Sequence, residues 1–174
     1  MRLLKNAILP LGLTLLAAAV TPAASQNAAL TGSYTYVEAE SDAIKPAIEQ
    51  AVAKMNFITR PIARGRLTRT NEPYRSLSIQ QSAGQVTIVR DAMAPIVAPA
   101  DGNPIKWTRE DGEVLDLTTR WVDETLEQTF IAEDGQRKNV FALSPDGGTL
   151  EMQVTVTSPR LAAPLTYTLR YRRQ

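Results

Sequence analysis

The chain has 174 residues, with 19 Lys and Arg, 18 Asp and Glu, and neither His nor Cys. Without His and Cys it can hold no Ser-His-Asp triad, no Cys-His pair, no ordinary zinc site and no disulfide. No glycine-rich phosphate loop, calcium loop or nucleophile elbow is present, so we expect no catalytic residue, no metal and no cofactor.

The first 25 residues have the pattern of a secretory signal peptide. A short basic segment precedes a mostly apolar run over residues 7–20, and small residues follow at Ala23-Ala24-Ser25. The run is shorter than the roughly 20 residues of a membrane-spanning helix. We therefore expect cleavage between Ser25 and Gln26, a periplasmic or secreted location, no stable membrane span, and a single domain over residues 26–174. An uncleaved membrane anchor is the alternative.

Residues 31–37 (TGSYTYV) predict a first strand, after which the sequence changes to a helical period. Pro61 disfavours helix at the residue before it but suits the first turn of a new helix. We therefore predict two helices, at about 42–58 and 61–69, with Ser41 or Asp42 capping the first. Their shared apolar stripe, which we expect to pack on the rest of the domain, consists of Ile44, Ile48, Ala51, Met55, Ile58 and Ile62.

Residues 55–70 (MNFITRPIARGRLTRT) contain four arginines and almost no acid. Residues 45–90 carry eight cationic and two acidic side chains, whereas residues 91–151 carry five and thirteen. We interpret these as complementary surfaces of one domain, so that the arginines face water or the acidic block; gating of an anionic ligand is the alternative. Nucleic-acid and membrane binding are disfavoured, because the arginines do not share one helix face and Phe57 is the sole aromatic among them.

From residue 75 onward the apolar residues alternate with a period of two, which is typical of half-buried antiparallel strands. Turn pairs separate the alternating segments, and Asp-Gly tolerates the positive φ of tight hairpins. The pairs are Ala83-Gly84, Asp101-Gly102, Asp111-Gly112, Asp134-Gly135 and Asp146-Gly147. We predict a mainly β fold: an antiparallel up-and-down barrel of about 8–10 strands, with a two-helix lid (residues 42–69) after the first strand.

The order of one strand, two helices and a long meander resembles the fatty-acid-binding-protein and lipocalin group of ligand-binding barrels. Gly32-Ser33-Tyr34 stands where that group has a Gly-x-Trp motif. The resemblance implies a ligand cavity in which Tyr171 and Arg173, near the end of the last strand, hold a carboxylate. The phrases MNFITRPIARGRL, NVFALSPDGGTL and TVTSPRLAAPLTYTLRYRR also resemble an uncharacterised family of secreted bacterial β-barrel proteins, which implies a periplasmic or secreted location.

Polar residues on inward-facing strand positions are the candidates for ligand binding, because a buried polar group needs a partner. Arg90 is the candidate cation for an anionic ligand, and each residue has a structural role as its alternative. The two tryptophans, Trp107 and Trp121, are expected in the core. The predicted ligand-binding residues are Arg90, Thr119, Gln128, Tyr167 and Tyr171.

These patterns favour a non-enzymatic binding protein for a small hydrophobic or amphipathic ligand, with an anionic ligand as one option. The alternative is a structural or interaction protein of the cell envelope, with a filled barrel and a charged partner surface. A carboxylate enzyme is the least favoured class, because most acids lie in turns or face outward. A cavity of several hundred Å³ would favour the binding protein, and a filled interior the interaction protein.

Overall fold

The computed structural model describes residues 28–174, so the predicted signal peptide and its cleavage site lie outside the described residues. A first strand (β1, Gly32–Tyr36) is followed by two helices (α1, Ile44–Val52; α2, Arg60–Thr70) and by nine further strands. The strands are β2 (Ser76–Ser82), β3 (Gln85–Arg90), β4 (Ile96–Pro99), β5 (Ile105–Thr108), β6 (Val114–Val122), β7 (Thr125–Ala132), β8 (Gly135–Leu143), β9 (Thr149–Thr157) and β10 (Leu165–Arg173).

The ten strands form one antiparallel sheet in the order β4-β3-β2-β1-β10-β9-β8-β7-β6-β5. The first strand pairs with the last, so that Tyr36 lies opposite Tyr171, and the sheet curls into a nearly closed barrel. On the side where β4 and β5 form the edges, a bridge between Asp101 and Arg120 and a small apolar cluster join the two halves. The predicted fold class, an antiparallel up-and-down barrel with two helices after the first strand, is confirmed.

The period-two pattern places one set of side chains inside the barrel. In β9, Leu150, Met152 and Val154 are almost completely buried, and in β10 the same holds for Leu165 and Leu169. Burying a Leu, Val or Met side chain contributes about 1.5–3 kcal/mol, so these faces supply a large share of the stability.

The predicted cap of the first helix is wrong. Helix α1 has no side-chain cap, because Ser41 and Asp42 accept hydrogen bonds from the backbone N–H groups of Arg170 (2.8 Å) and Thr168 (2.7 Å) in β10. Strand β1 covers only the last residues of β10, so these two donors would otherwise be unpaired at the edge of the strand. The side chains join the start of the lid to the barrel instead.

The predicted apolar stripe of the lid is correct only in its first half. Ile48 and Ala51 are buried and Ile44 and Met55 pack against the core, but Ile58 and Ile62 are 60% and 71% exposed. Helix α1 ends at Val52 rather than near residue 58, and the Asn56 side chain accepts the N–H of Ile58 in a local turn. This turn changes the direction of the chain, so the second half of the stripe does not continue along the barrel.

Four of the five predicted glycine turns have the expected positive φ, and Gly135 is the exception. A Cβ at Gly135 would lie 2.6 Å from the backbone oxygen of Thr157 in β9. This glycine therefore permits a close approach of two backbones rather than a left-handed turn.

Candidate functional site

A cavity of about 1110 Å³ lies between the inner face of the barrel and helix α2. Its apolar wall is formed by Leu77, Ile88, Leu115, Phe130, Phe141 and Met152. Exposed charged residues such as Arg69 and Asp111 form its rim, so the cavity is open to solvent. An apolar wall combined with a few polar groups is typical of sites for small molecules, whose volumes reach about 1,000 Å³.

The five predicted ligand-binding residues are all buried, but they occupy two environments. Arg90 and Gln128 line the cavity. Thr119, Tyr167 and Tyr171 do not line it, although the Tyr167 hydroxyl donates to Asn71, which does. The ligand role of each residue remains a prediction.

Arg90 lies on the inner face of the barrel but is already paired. Its Nη2 donates to Glu110 Oε1 and its Nη1 to the Tyr74 hydroxyl, both at 3.0 Å. The guanidinium also lies 5.1 Å from the ring centre of Tyr74 and 5.3 Å from that of Trp107. Since Glu110 follows β5 and Arg90 ends β3, the ion pair connects the two sides of the β4–β5 gap.

A second cation, Arg137 of β8, also lines the cavity. Its Nε donates to Asn139 Oδ1 (2.9 Å), and its Nη1 donates to the Thr70 carbonyl (2.9 Å) and Asn71 Oδ1 (3.1 Å). The Tyr167 hydroxyl donates to the same Asn71 oxygen at 2.9 Å. Helix α2, β8 and β10 therefore meet in one polar cluster, in which each acceptor of the Arg137 guanidinium is neutral.

The sequence predictions missed Arg137 and Asn139. Strand alternation could have identified them as inward-facing, because both residues lie on the same face of β8 as Phe141, which is buried. The consecutive polar residues 136–139 conceal this alternation, so no inward face is evident in the first half of β8. The partner residue Asn71 was inaccessible to the parity argument, since it lies just after a helix.

The two buried tyrosines of β10, Tyr167 and Tyr171, are in the neutral phenol form. Burial raises the pKa of Tyr167 and, more strongly, that of Tyr171. Among the described residues, the buried Tyr171 hydroxyl has no hydrogen-bond partner. Arg173, which the family resemblance pairs with Tyr171, donates to the backbone oxygens of Ala29 and Thr31 and does not line the cavity.

Ion pairs surround the cavity rim and join the basic lid to acidic turns. Arg66 of α2 contacts Asp134 at 2.8 Å and Glu113 at 3.9 Å. Arg109 donates to Asp111 and Glu113, and its hydrogen bonds lower the pKa of Asp111 to about 2. The expectation that lid arginines face the acidic block is thus confirmed for Arg66.

The described part of the chain shows neither a metal-binding cluster nor a membrane-spanning helix. Within residues 28–174, no cluster of three or more acidic side chains is arranged to hold a metal ion. In the same range, no helix combines the length and the apolar character that crossing a membrane requires.

Three solved structures show the same fold as this chain. A Schistosoma mansoni fatty acid binding protein in complex with arachidonic acid is 15% identical, with a TM-score of 0.55, over 86% of this chain and 98% of its own. An Echinococcus granulosus fatty-acid-binding protein is 11% identical, with a TM-score of 0.53, over 83% of this chain and 97% of its own. A fatty acid-binding protein from Drosophila melanogaster brain is 11% identical, with a TM-score of 0.54, over 82% of this chain and 98% of its own.

At these identities the likeness shows the fold alone, and it confirms the predicted resemblance to fatty-acid-binding barrels. Comparison with protein-family models and with curated proteins finds no match.

Proposed function

We propose that the protein binds a small amphipathic molecule with one anionic head group. The head group lies at Arg137, and the apolar tail lies against the wall formed by Phe141, Met152 and their neighbours. The observation that carries this proposal is the Arg137 guanidinium, which lines the cavity and has no carboxylate partner within residues 28–174.

The two cavity arginines differ in the groups that compensate their charge. A guanidinium in a largely apolar cavity is costly unless an opposite charge or water compensates it, and Arg137 is half-buried, so it keeps part of its contact with water. Glu110 compensates Arg90, whereas Arg137 is held by amide and backbone oxygens, and its Nη2 makes no hydrogen bond within the described residues. A ligand carboxylate would add a charge-assisted hydrogen bond there, which contributes about 1.5–3 kcal/mol.

The size of the cavity supports a binding protein over the alternative of a barrel with a filled interior. A volume of about 1110 Å³ accommodates a long acyl chain or a molecule of similar bulk. The solved structures of the same fold include a fatty acid binding protein described in complex with arachidonic acid, which is the kind of ligand that this cavity would accept.

We further propose that the protein acts in the periplasm or outside the cell. The basic, apolar and small-residue pattern of residues 1–25 supports this location. N-terminal sequencing of the protein recovered from the cell envelope or medium should begin at Gln26. Recovery of a chain that still begins at Met1 would contradict it.

Competitive displacement tests the proposed ligand. Palmitic acid should displace a fluorescent fatty-acid probe from the wild-type protein. Arg137→Met should weaken palmitic acid roughly 10- to 150-fold, since it removes one charge-assisted contact. The uncharged ester methyl palmitate should bind both proteins with similar affinity.

Arg90→Met is the matched control, because this arginine lines the same cavity and already has a carboxylate partner. We expect it to reduce stability and to weaken the acid and its ester alike. Failure of the wild type to bind any of these molecules would refute the binding function. Equal binding of palmitic acid to wild type and Arg137→Met would refute the head-group site.

A further inference from the structure

Three polar residues form a row on the otherwise apolar inner face of the barrel. In the strand register Thr119 of β6 lies opposite Gln128 of β7, and Gln128 lies opposite Asn139 of β8. Thr119 is 0% exposed, Gln128 2% and Asn139 5%. Arg137 lies one inward-facing position along β8 from Asn139, so this row, which we call the polar row, adjoins the proposed head-group site.

In β6 and β7 the rows on both sides are apolar, whereas in β8 Arg137 lies opposite Phe130. On one side Leu117 lies opposite Phe130, and on the other Trp121 lies opposite Leu126, which lies opposite Phe141. Binding of a plain hydrocarbon chain would be served equally well by apolar residues at positions 119 and 128. The polar row therefore needs a different explanation.

The hydrogen-bonding capacity of this row is largely unused. Within residues 28–174, the Thr119 hydroxyl is buried without a partner. The Gln128 amide makes no side-chain hydrogen bond in this range either, but it faces the cavity, and its polar atoms are not completely buried. Asn139 uses its oxygen to accept from Arg137 Nε. A ligand group that bonds to the Gln128 amide would therefore replace cavity water there and add one neutral hydrogen bond to the complex.

Gln128 and Asn139 line the cavity, whereas Thr119 does not. Since the Asn139 oxygen already accepts from Arg137, Gln128 is the lining member of the row whose amide has no side-chain partner within residues 28–174. Gln128 is also the diagonal neighbour of Arg137 across the β7–β8 pair, and such neighbours lie roughly 7–8 Å apart. A ligand group that contacts both residues therefore has its second polar atom close to the head group, not at the far end of the tail.

We infer that the polar row recognises a hydroxyl group near the anionic end of the ligand. The ligand class is thus a hydroxylated long-chain acid, and this inference rests on the proposed function of the cavity. A hydroxyl both donates and accepts, so it can bind the oxygen and the NH₂ group of Gln128 at once. A carbonyl would satisfy only the donor of this amide.

The test compares unsubstituted palmitic acid with 3-hydroxypalmitic and 15-hydroxypalmitic acids by displacement of the same fluorescent probe. The 3-hydroxy acid should bind the wild type about tenfold more tightly than palmitic acid, which corresponds to one further neutral hydrogen bond. The 15-hydroxy acid should show no such gain, because its hydroxyl lies at the far end of the tail.

Gln128→Leu replaces the amide with a shorter apolar side chain, so it should abolish the preference while retaining affinity for palmitic acid. Thr119→Val, which removes a hydroxyl without changing the shape, provides a second variant should Gln128→Leu fail to fold. It should reduce the preference less, because Thr119 does not line the cavity.

The methyl esters of palmitic and 3-hydroxypalmitic acids separate this inference from the head-group proposal. If Arg137 has no role, the 3-hydroxy ester should still bind more tightly than the plain ester. If palmitic acid and its 3-hydroxy derivative bind the wild type equally, as acids and as esters, the polar row has no role in recognition, although the binding function would stand.

Discussion

The packing of the lid is tested most directly by Ile48→Ala. Ile48 of α1 is 2% exposed and belongs to the main apolar core, which also includes Leu169 and Tyr171 of β10. The substitution removes three carbon atoms from a site that its neighbours fill on all sides. It therefore reports on whether α1 stabilises the barrel.

The expected loss follows from the burial. Complete burial of an isoleucine side chain contributes about 1.5–3 kcal/mol, and the space left by truncation adds a further cost. We expect Ile48→Ala to lower the free energy of unfolding by about 2–5 kcal/mol. For a domain of this size the melting temperature should fall by about 2–4 °C per kcal/mol.

Equilibrium unfolding in urea, followed by tryptophan fluorescence, measures the change. The midpoint should move to lower urea concentration at an unchanged slope, since the surface exposed on unfolding is nearly the same. Ile62→Ala is the matched control, because Ile62 belongs to the same sequence stripe but is 71% exposed. Its effect should remain within about 0.5 kcal/mol.

An unchanged midpoint for Ile48→Ala would refute the packing of α1 on the barrel. Equal losses for the two variants would show that both halves of the predicted stripe are buried in solution. Either result would require a different position of the lid, and the cavity beneath α2 would have to be redefined.

Two further predictions concern the backbone and the pH dependence of stability. Gly65→Ala should raise stability by about 1 kcal/mol, because Gly65 lies in α2 with open space around it. Gly135→Ala should lower stability, because the new methyl group would clash with the Thr157 backbone. Thermal unfolding of the two variants measures both changes. The hydrogen bonds from Lys138 and Arg120 lower the pKa of Glu127 below its ordinary value of 4.5, so this carboxylate stabilises the fold above that pH. Stability should fall as the pH drops through the folded-state pKa, and Glu127→Gln should lose less in this acidic range and be less stable near neutrality. An identical pH profile of unfolding for the variant and the wild type would contradict the ion-pair argument.

Local patterns in the sequence determined the strand faces of this protein. Alternation along β9 and β10 predicted Met152 and Val154 as inward residues, and both are buried. The same reasoning predicted that Arg90 points inward. It succeeds because successive side chains on a strand point to opposite faces whatever the rest of the chain does.

The tertiary structure determined which residues became hydrogen-bond and ion-pair partners. Arg90 is compensated by Glu110, which is 20 residues away in the chain, and parity alone carried no information about that contact. Ser41 and Asp42 appeared suited to cap a helix, but an uncovered stretch of β10 supplied better donors. Competition between a local and a distant partner depends on which strands become neighbours, and a single sequence window does not contain that information.

In the candidate site, too, the sequence predicted the inward-facing residues and the tertiary structure determined their partners. The sequence alone predicted an interior with polar residues at Thr119 and Gln128, and a lid after the first strand. The head-group cluster required Arg137, Asn71 and Tyr167 to meet from β8, the end of α2 and β10. Closure of the barrel brings these segments together, because the hydrophobic faces of ten strands can all be buried only when the sheet curls, and that curl sets which polar side chains share the cavity.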